Sequence, residues 1–163
     1  MTVGVNRISV GVQDFDPQVQ RAIGRMQSFD VTREALGLFR ARGVRSINMD
    51  LVYGLPHQTE TTLLQTLEQV MALMPDRIAL FGYAHLPQRA HNQRLIDERV
   101  LPDALARYAM SQRLAQALVA AGYTPRGIDH FARAEDPLAT APLNRNFQGY
   151  TCLLYTSPSP RDS

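Results

Sequence analysis

The sequence predicts an α/β protein in which parallel strands alternate with helices. The main observation is the order of its β-rich runs and amphipathic segments, which reads strand, helix, helix, strand, helix, strand, helix, strand. The composition, 45% hydrophobic and 20% charged residues, is that of an ordinary globular domain. The alternation fits either part of an α/β barrel or half of a doubly wound sheet.

The first strand is predicted over Asn6–Val12, a run rich in β-branched residues. In the polar turn that follows, Asp16 is a candidate N-cap and Pro17 a candidate first residue of a helix that reaches about Arg25. A second amphipathic helix follows, for which Gly43 is a suitable C-terminal cap.

The second strand, Ile47–Val52, ends in the turn Tyr53–Pro56. Its alternation places Asn48, Asp50 and Val52 on one face. A carboxylate near the end of a buried strand is costly unless a ligand or a hydrogen bond uses it. Asp50 is therefore a candidate ligand-binding residue, and the alternative is a strand carboxylate that caps a neighbouring loop.

The third helix is predicted from a Thr59 cap to Pro75, which stops it. The strand Arg77–Tyr83 comes next, and the polar segment Gln88–Arg99 is expected to form a loop with a short helix.

A long helix is predicted over Pro102–Ala121, ended by Gly122. A last strand, Tyr123–Ile128, leads into Asp129–Phe131. The inner face of the long helix is predicted to carry Leu105, Tyr108, Ala109, Leu118 and Val119.

The charge pattern argues against several classes of function. The formal net charge is +2 and the arginines are spread along the chain, so we expect neither nucleic-acid nor membrane binding. The sequence has one cysteine, Cys152, which excludes a disulfide framework or a cysteine metal cluster within this chain. A cytoplasmic location is expected. From residue 152 to 163 the Pro and Ser content rises and periodicity disappears, so this tail is predicted to be non-native or disordered.

Polar residues follow successive predicted strands. The carboxyl ends of parallel strands share one rim, which Arg25 can also reach. Asp50 can accept both hydroxyls of a ribose, Gln13 can donate and accept, and Arg25 can bind a carboxylate bidentately. The backbone at Ala84, like that at Val52, can lie against an adenine. The candidate groups are Gln13–Asp14, Asp50, Ala84–His85 and Asp129–His130.

Simpler roles remain open for several of these side chains. Arg25 can pair with a helix C-terminus or a nearby aspartate. His85 and His130 can be ordinary hydrogen-bonded loop histidines, and His57 and His91 lie in polar turns where solvent exposure is expected.

Five motifs carry a resemblance to a known family. They read N-R-I-S-V-G-V-Q-D-F, I-N-M-D-L-V-Y-G-L-P, F-G-Y-A-H-L-P, I-D-H-F-A-R and N-R-N-F-Q-G-Y, in this order. Over about Val5–Thr151 the chain resembles the oxygen-independent coproporphyrinogen III oxidases, which are radical S-adenosylmethionine (SAM) enzymes. The related haem chaperones are the alternative, but there we expect Ser in place of Asp14 and none of the last three motifs in full.

The resemblance implies a partial parallel (β/α) barrel of the radical SAM type, truncated at both ends. Residues 1–151 then form the C-terminal portion of the barrel and the segment after it. By the same resemblance, Gln13, Arg25, Asp50 and Ala84 match positions that contact SAM, and Val52 matches a position near the adenine.

The reaction that the resemblance implies is an oxidative decarboxylation in anaerobic haem biosynthesis. A 4Fe–4S cluster reduces SAM to a 5′-deoxyadenosyl radical, which takes hydrogen from a propionate of coproporphyrinogen III. Loss of CO2 and an electron leaves a vinyl group, and two rounds give protoporphyrinogen IX. An electron donor is needed, and we expect a monomer.

The sequence departs from the family in lacking the C-x-x-x-C-x-x-C motif that binds the cluster, and also its glycine-rich segment. We therefore expect an internal fragment that is inactive on its own. Asn144, where the family pattern has His, and Ala134, where it has Pro, are smaller departures. A non-enzymatic α/β binding module is a third hypothesis.

Overall fold

A computed structural model of the chain describes residues 5–136. The predicted α/β class is confirmed, with a five-stranded sheet that is mostly parallel. The strands are β1 Arg7–Gln13, β2 Ser46–Tyr53, β3 Arg77–Gly82, β4 Tyr123–Arg126 and β5 His130–Arg133. The helices are α1 Pro17–Ala22, α2 Phe29–Ala41, α3 Glu60–Ala72 and α4 Ala104–Ala120, with short 3-10 helices at His91–Leu95 and Glu98–Val100. The predicted tail, 152–163, lies outside the described residues.

The strand order across the sheet is β1-β2-β3-β5-β4. β1, β2 and β3 are parallel, as predicted. The expectation that the next strand simply continues the parallel sheet is wrong, because β4 and β5 form a hairpin whose second strand runs antiparallel to β3. Gly127, with φ of 64°, makes the reversal possible. His130 therefore begins a strand rather than lying in a loop after one.

The predicted helix starts are confirmed at two places. The Asp16 side chain accepts hydrogen bonds from the backbone of Gln18 and Val19, and Pro17 is the first helical residue. Thr59 caps α3. The first helix is shorter than predicted and ends at Ala22, so Arg25 lies in the following loop.

The helices α2, α3 and α4 contribute buried side chains to one core that they share with the sheet. From the sheet, Met49 and Leu51 of β2 and Ile78 of β3 enter this core. The predicted inner face of α4 is confirmed at Leu118 and wrong at Leu105, Tyr108 and Val119, which are exposed, while Ala109 is half-buried. The buried residues follow a different phase with a spacing of four: Met110, Leu114 and Leu118.

The opposite face of the sheet is polar where the strands pair in register. Ser9 of β1 pairs with Asn48 of β2, and Gly11 pairs with Asp50. The carboxyl ends of β1, β2 and β3 lie along the same edge, here called the carboxyl edge. No helix among residues 5–136 has the length and apolar character needed to cross a bilayer.

Candidate functional site

Gln13 and Arg25 converge over Gly11 at the carboxyl edge. Nη2 of Arg25 donates to the Gly11 carbonyl at 2.7 Å. A Cβ added to Gly11 would lie 2.8 Å from Nε2 of Gln13 and 3.3 Å from Nη2 of Arg25. The absence of a side chain at Gly11 is what lets both polar groups approach, since real Cβ contacts are longer than 3.0 Å.

Asp50 of β2 lies beside this pair, because its register partner is Gly11 of β1. The structure therefore brings together Gln13, Arg25 and Asp50, which the sequence places far apart. The Arg25 side chain does not pair with an aspartate or a helix C-terminus, since its side-chain hydrogen bonds within the described residues run to Gly11 and, at 3.5 Å, to Gln27.

The Asp50 carboxylate is oriented by two side chains of the same face. Its Oδ2 accepts from Oγ of Ser9 at 3.1 Å, and its Oδ1 accepts from Nδ2 of Asn48 at 2.6 Å. Nδ2 of Asn48 also donates to Oγ of Ser9 at 2.9 Å. Asp50 does not cap a loop in this arrangement. The alternation of β2 already placed Asn48 beside it, but Ser9 was missed because the register with β1 is not readable from the sequence.

Two buried acceptor atoms in this region lack a hydrogen-bond partner among the described residues. They are Oε1 of Gln13 and Oδ1 of Asn48. Unsatisfied buried acceptors are rare in folded proteins and cost free energy. A ligand that carries hydroxyl or amino donors would satisfy them, and the neighbouring Asp50 adds further acceptor capacity.

Ala84 lies just beyond β3, at the same edge. The backbone N–H of Tyr83 donates to the carbonyl of Tyr53 at 2.8 Å, which holds the segment beside the end of β2. The Gln93 side chain donates to the carbonyl of Ala84 at 3.1 Å and accepts from the backbone of Leu86 at 2.5 Å. Ala84 itself is exposed. Gln93 thus fixes the backbone next to Ala84, a role that sequence reasoning missed.

Val52 is half-buried and follows Asp50 on the same face of β2. It pairs in register with Phe81 of β3. The apolar surface at Val52 therefore adjoins the polar group at Asp50.

The histidines have ordinary contacts. His85 lies 3.1 Å from the Tyr83 hydroxyl and 3.2 Å from Oε1 of Glu98. His130 meets the ring of Phe81 edge-on, with centroids 6.2 Å apart. His57 and His91 are exposed, as predicted. These contacts of His85 and His130 agree with a role in packing and hydrogen bonding.

Three comparisons with known proteins agree on the family. The Radical SAM superfamily model matches residues 2–70. Oxygen-independent coproporphyrinogen III oxidases from Bradyrhizobium diazoefficiens and Paracoccus denitrificans are 51% and 49% identical over 91% of this chain. The solved coproporphyrinogen III oxidase of Escherichia coli, a radical SAM enzyme, superposes with a TM-score of 0.82 and 42% identity over 85% of this chain. The chain is similar to the oxygen-independent coproporphyrinogen III oxidases over nearly its whole length.

The family match confirms the resemblance inferred from the motifs. The chain spans about a third of the length of these relatives, 34% of the curated proteins and 32% of the solved chain. The partial-barrel interpretation agrees with the E. coli superposition. Asn144 and the N-R-N-F-Q-G-Y motif lie outside the described residues.

This chain does not itself hold the donors for an iron–sulfur cluster. Its sequence has one cysteine, Cys152, whereas the family motif uses three. Among residues 5–136, no group of three or more His, Cys, Asp or Glu side chains is arranged to hold a metal ion. The residues present fit a nucleoside and its polar tail, but they do not fit the cluster.

Proposed function

We propose that this chain forms the SAM-binding rim of an oxygen-independent coproporphyrinogen III oxidase. The observation that supports this most directly is the convergence of Gln13 and Arg25 on Gly11, the register partner of Asp50. These three side chains supply an amide, a guanidinium and a carboxylate within one small region. A nucleoside that carries an amino-acid tail presents the complementary groups.

Each residue has a distinct binding role in this proposal. The Asp50 carboxylate, held by Ser9 and Asn48, accepts the ribose hydroxyls. Arg25 binds the carboxylate of the amino-acid tail, and Oε1 of Gln13 accepts from a donor of the cofactor. The adenine lies against Val52 and the backbone at Ala84.

The proposed reaction of the whole protein is the oxidative decarboxylation of two coproporphyrinogen III propionates to vinyl groups. SAM bound beside a 4Fe–4S cluster would provide the group that abstracts a hydrogen atom from the propionate. The task of the described residues is to hold and orient the nucleoside, because positioning provides much of the rate in such chemistry. We further propose an external electron donor, a monomeric state and a cytoplasmic location.

The binding proposal is tested by titrating this chain with SAM and with S-adenosylhomocysteine while recording amide NMR spectra. We expect shifts at Gln13, Asp50 and Ala84, weaker with adenosine because the tail is missing. Shifts confined to other residues would contradict the site. Binding of haem without binding of either nucleoside would favour the haem-chaperone alternative.

The proposal for the whole protein is tested by reading the genomic sequence upstream of Met1. We expect a C-x-x-x-C-x-x-C motif there, and a vinyl-forming activity when the longer protein is reconstituted anaerobically with iron and sulfide. A stoichiometric 4Fe–4S cluster on the present chain alone would contradict this view of its role.

A further inference from the structure

Gln13 occupies an unusual backbone conformation at the end of β1. Its φ is 64°, and the N–H of Asp14 donates to the carbonyl of Val12 at 2.9 Å across it. A hydrogen bond between residues two apart with a positive φ in the middle defines a γ-turn of the rarer, strained kind. Such a conformation persists in a residue other than glycine only when its surroundings hold it.

Asp14, the residue after this turn, is held by hydrogen bonds from several residues. Asp14 is completely buried. Its Oδ1 accepts from the backbone of Asp16 at 2.6 Å and from Oγ1 of Thr66 at 2.7 Å. Its carbonyl accepts from Nε2 of Gln20 at 2.8 Å. These bonds fix Asp14 to α1 and α3, and they therefore fix where the strained turn leaves β1.

Gln58 connects Asp14 to the turn that ends β2. Its Nε2 donates to Oδ2 of Asp14 at 2.5 Å and to the carbonyl of Val52 at 3.0 Å. Its Oε1 accepts from the backbone of Gly54 at 2.7 Å and of Leu55 at 3.1 Å. A single buried carboxamide thus ties the loop after β1 to the loop after β2.

Two side chains donate hydrogen bonds to the Asp14 carboxylate, and both are neutral: Thr66 and Gln58. Burial raises the pKa of Asp14, although hydrogen bonds from Asp16, Thr66 and Gln58 oppose that change. A buried carboxylate without a cation is a costly way to fill space. It is effective at orienting several donors at once, because it accepts on two oxygens.

We propose that Asp14 and Gln58 are positioning residues of the nucleoside site. They hold Gln13 in its strained turn and hold Val52 and the Tyr53–Pro56 turn at a fixed distance from it. This inference rests on the proposed function, since it assigns the cluster to the geometry of that binding site.

Asp14→Asn is the first test, measured as SAM affinity by NMR titration of this chain. The new NH2 group faces Nε2 of Gln58, so two donors oppose each other. Turning Gln58 over would instead set its NH2 against the N–H groups of Gly54 and Leu55. We expect affinity to fall by about tenfold or more, because small displacements of binding groups are costly, and the amide resonance of Gln13 to move.

A compensating double variant separates positioning from simple destabilisation. In Asp14→Asn with Gln58→Glu, the new amide can donate to the new carboxylate, whose other oxygen still accepts from Gly54 and Leu55. The hydrogen bond to the Val52 carbonyl is lost in this variant, because the carboxylate has no donor. We expect this pair to recover part of the lost affinity and the original Gln13 resonance. If affinity stays at the level of Asp14→Asn while the Gln13 resonance is restored, the inference is wrong.

The matched control is Asp136→Asn, at the second buried carboxylate among residues 5–136. It should lower the unfolding temperature and leave SAM affinity unchanged. If Asp14→Asn does not fold, Thr66→Val removes one donor to Asp14 and should weaken SAM binding less severely. Affinity unchanged in each folded Asp14 or Thr66 variant would overturn this inference alone, whereas no binding by the unaltered chain would overturn the proposed function together with it.

Discussion

The two edges of the sheet use buried carboxylates in opposite ways. At the amino edge, where β2 and β3 begin, Asp136 accepts from Nε and Nη2 of Arg77 at 2.8 and 2.7 Å and from Ser46 at 3.3 Å. At the carboxyl edge, Asp14 accepts from neutral side chains and a backbone N–H. One carboxylate has its charge compensated by a cation, and the other orients donors without one.

The same contrast extends to the neighbouring groups. At the amino edge, Asp76 accepts from the backbone of Ile47 at 2.8 Å, and the Tyr123 hydroxyl donates to the Pro75 carbonyl at 2.7 Å. At the carboxyl edge, Oε1 of Gln13 lacks a hydrogen-bond partner within residues 5–136. The amino edge is therefore built for stability, whereas the carboxyl edge keeps hydrogen-bonding capacity for a ligand, as is usual at the C-terminal ends of parallel strands.

The largest expected effect is on stability at the amino edge. Arg77→Met removes the Arg77 cation from the buried Asp136 carboxylate and should lower the free energy of unfolding by about 3 kcal/mol. Urea titration measures this loss, and SAM affinity should not change. Adding Asp136→Leu should restore much of the stability, because apolar side chains often replace a buried ion pair well. A change in SAM affinity would show that the two edges are coupled.

The second prediction reverses the pattern at the carboxyl edge. Asp50→Ala should weaken SAM binding by about 2 kcal/mol, since hydrogen bonds to charged groups contribute about that much. The half-buried position of Asp50 predicts a loss of unfolding free energy below about 1 kcal/mol. Ser9→Ala is the matched control, because it removes one support of Asp50 and should have a smaller effect on affinity. Unchanged SAM affinity in Asp50→Ala would remove this residue from the site.

The third prediction concerns the pH dependence of the Asp14 contribution to stability. Its pKa in the folded chain is raised above its ordinary value of 3.8, mainly by burial. The folded state then binds this proton more tightly than the unfolded state, so the contribution is present at low pH and is lost as the pH rises through the raised pKa. The unfolding free energy of the unaltered chain should therefore rise relative to that of Asp14→Asn as the pH falls.

The pKa of the exposed Asp97 is shifted in the opposite direction, because hydrogen bonds from Arg99 lower it to about 2. This group is present in both proteins of the Asp14 comparison, so its effect cancels in the difference. A difference that does not vary with pH would mean that Asp14 titrates alike in the folded and unfolded chains.

The sequence predicted the parallel part of the fold because its signals are local. Strand alternation in β2 and the caps at Asp16 and Thr59 depend on neighbouring residues, and the structure has them. β5 was missed because its four residues are too few to show a period. The phase of α4 was misjudged because alanines and leucines occur on several of its faces, and only packing selects among them.

In the candidate site, too, local features were predictable from the sequence and long-range contacts were not. Asp50 was predictable from its place in a strand, and the structure brings Gln13 and Arg25 to it. Their binding of SAM stays a prediction. The link between Gln58 and Asp14 joins residues 44 apart in sequence, and no local pattern announces such a bond.

The smallest effect is expected from Gln93, a half-buried residue whose solvent-exposed hydrogen bonds support the backbone beside Ala84. Gln93→Ala should cost less than about 1 kcal/mol of unfolding free energy, because exposed hydrogen bonds are readily replaced by water. SAM affinity should fall by a few-fold, approximately the effect of one neutral hydrogen bond. Calorimetric titration beside Gln88→Ala, an exposed glutamine of the same segment, measures the difference. Equal SAM affinities in the two variants would mean that the support of the Ala84 backbone by Gln93 does not affect binding. The contrast between the two edges would then rest on the buried residues Asp14 and Gln58.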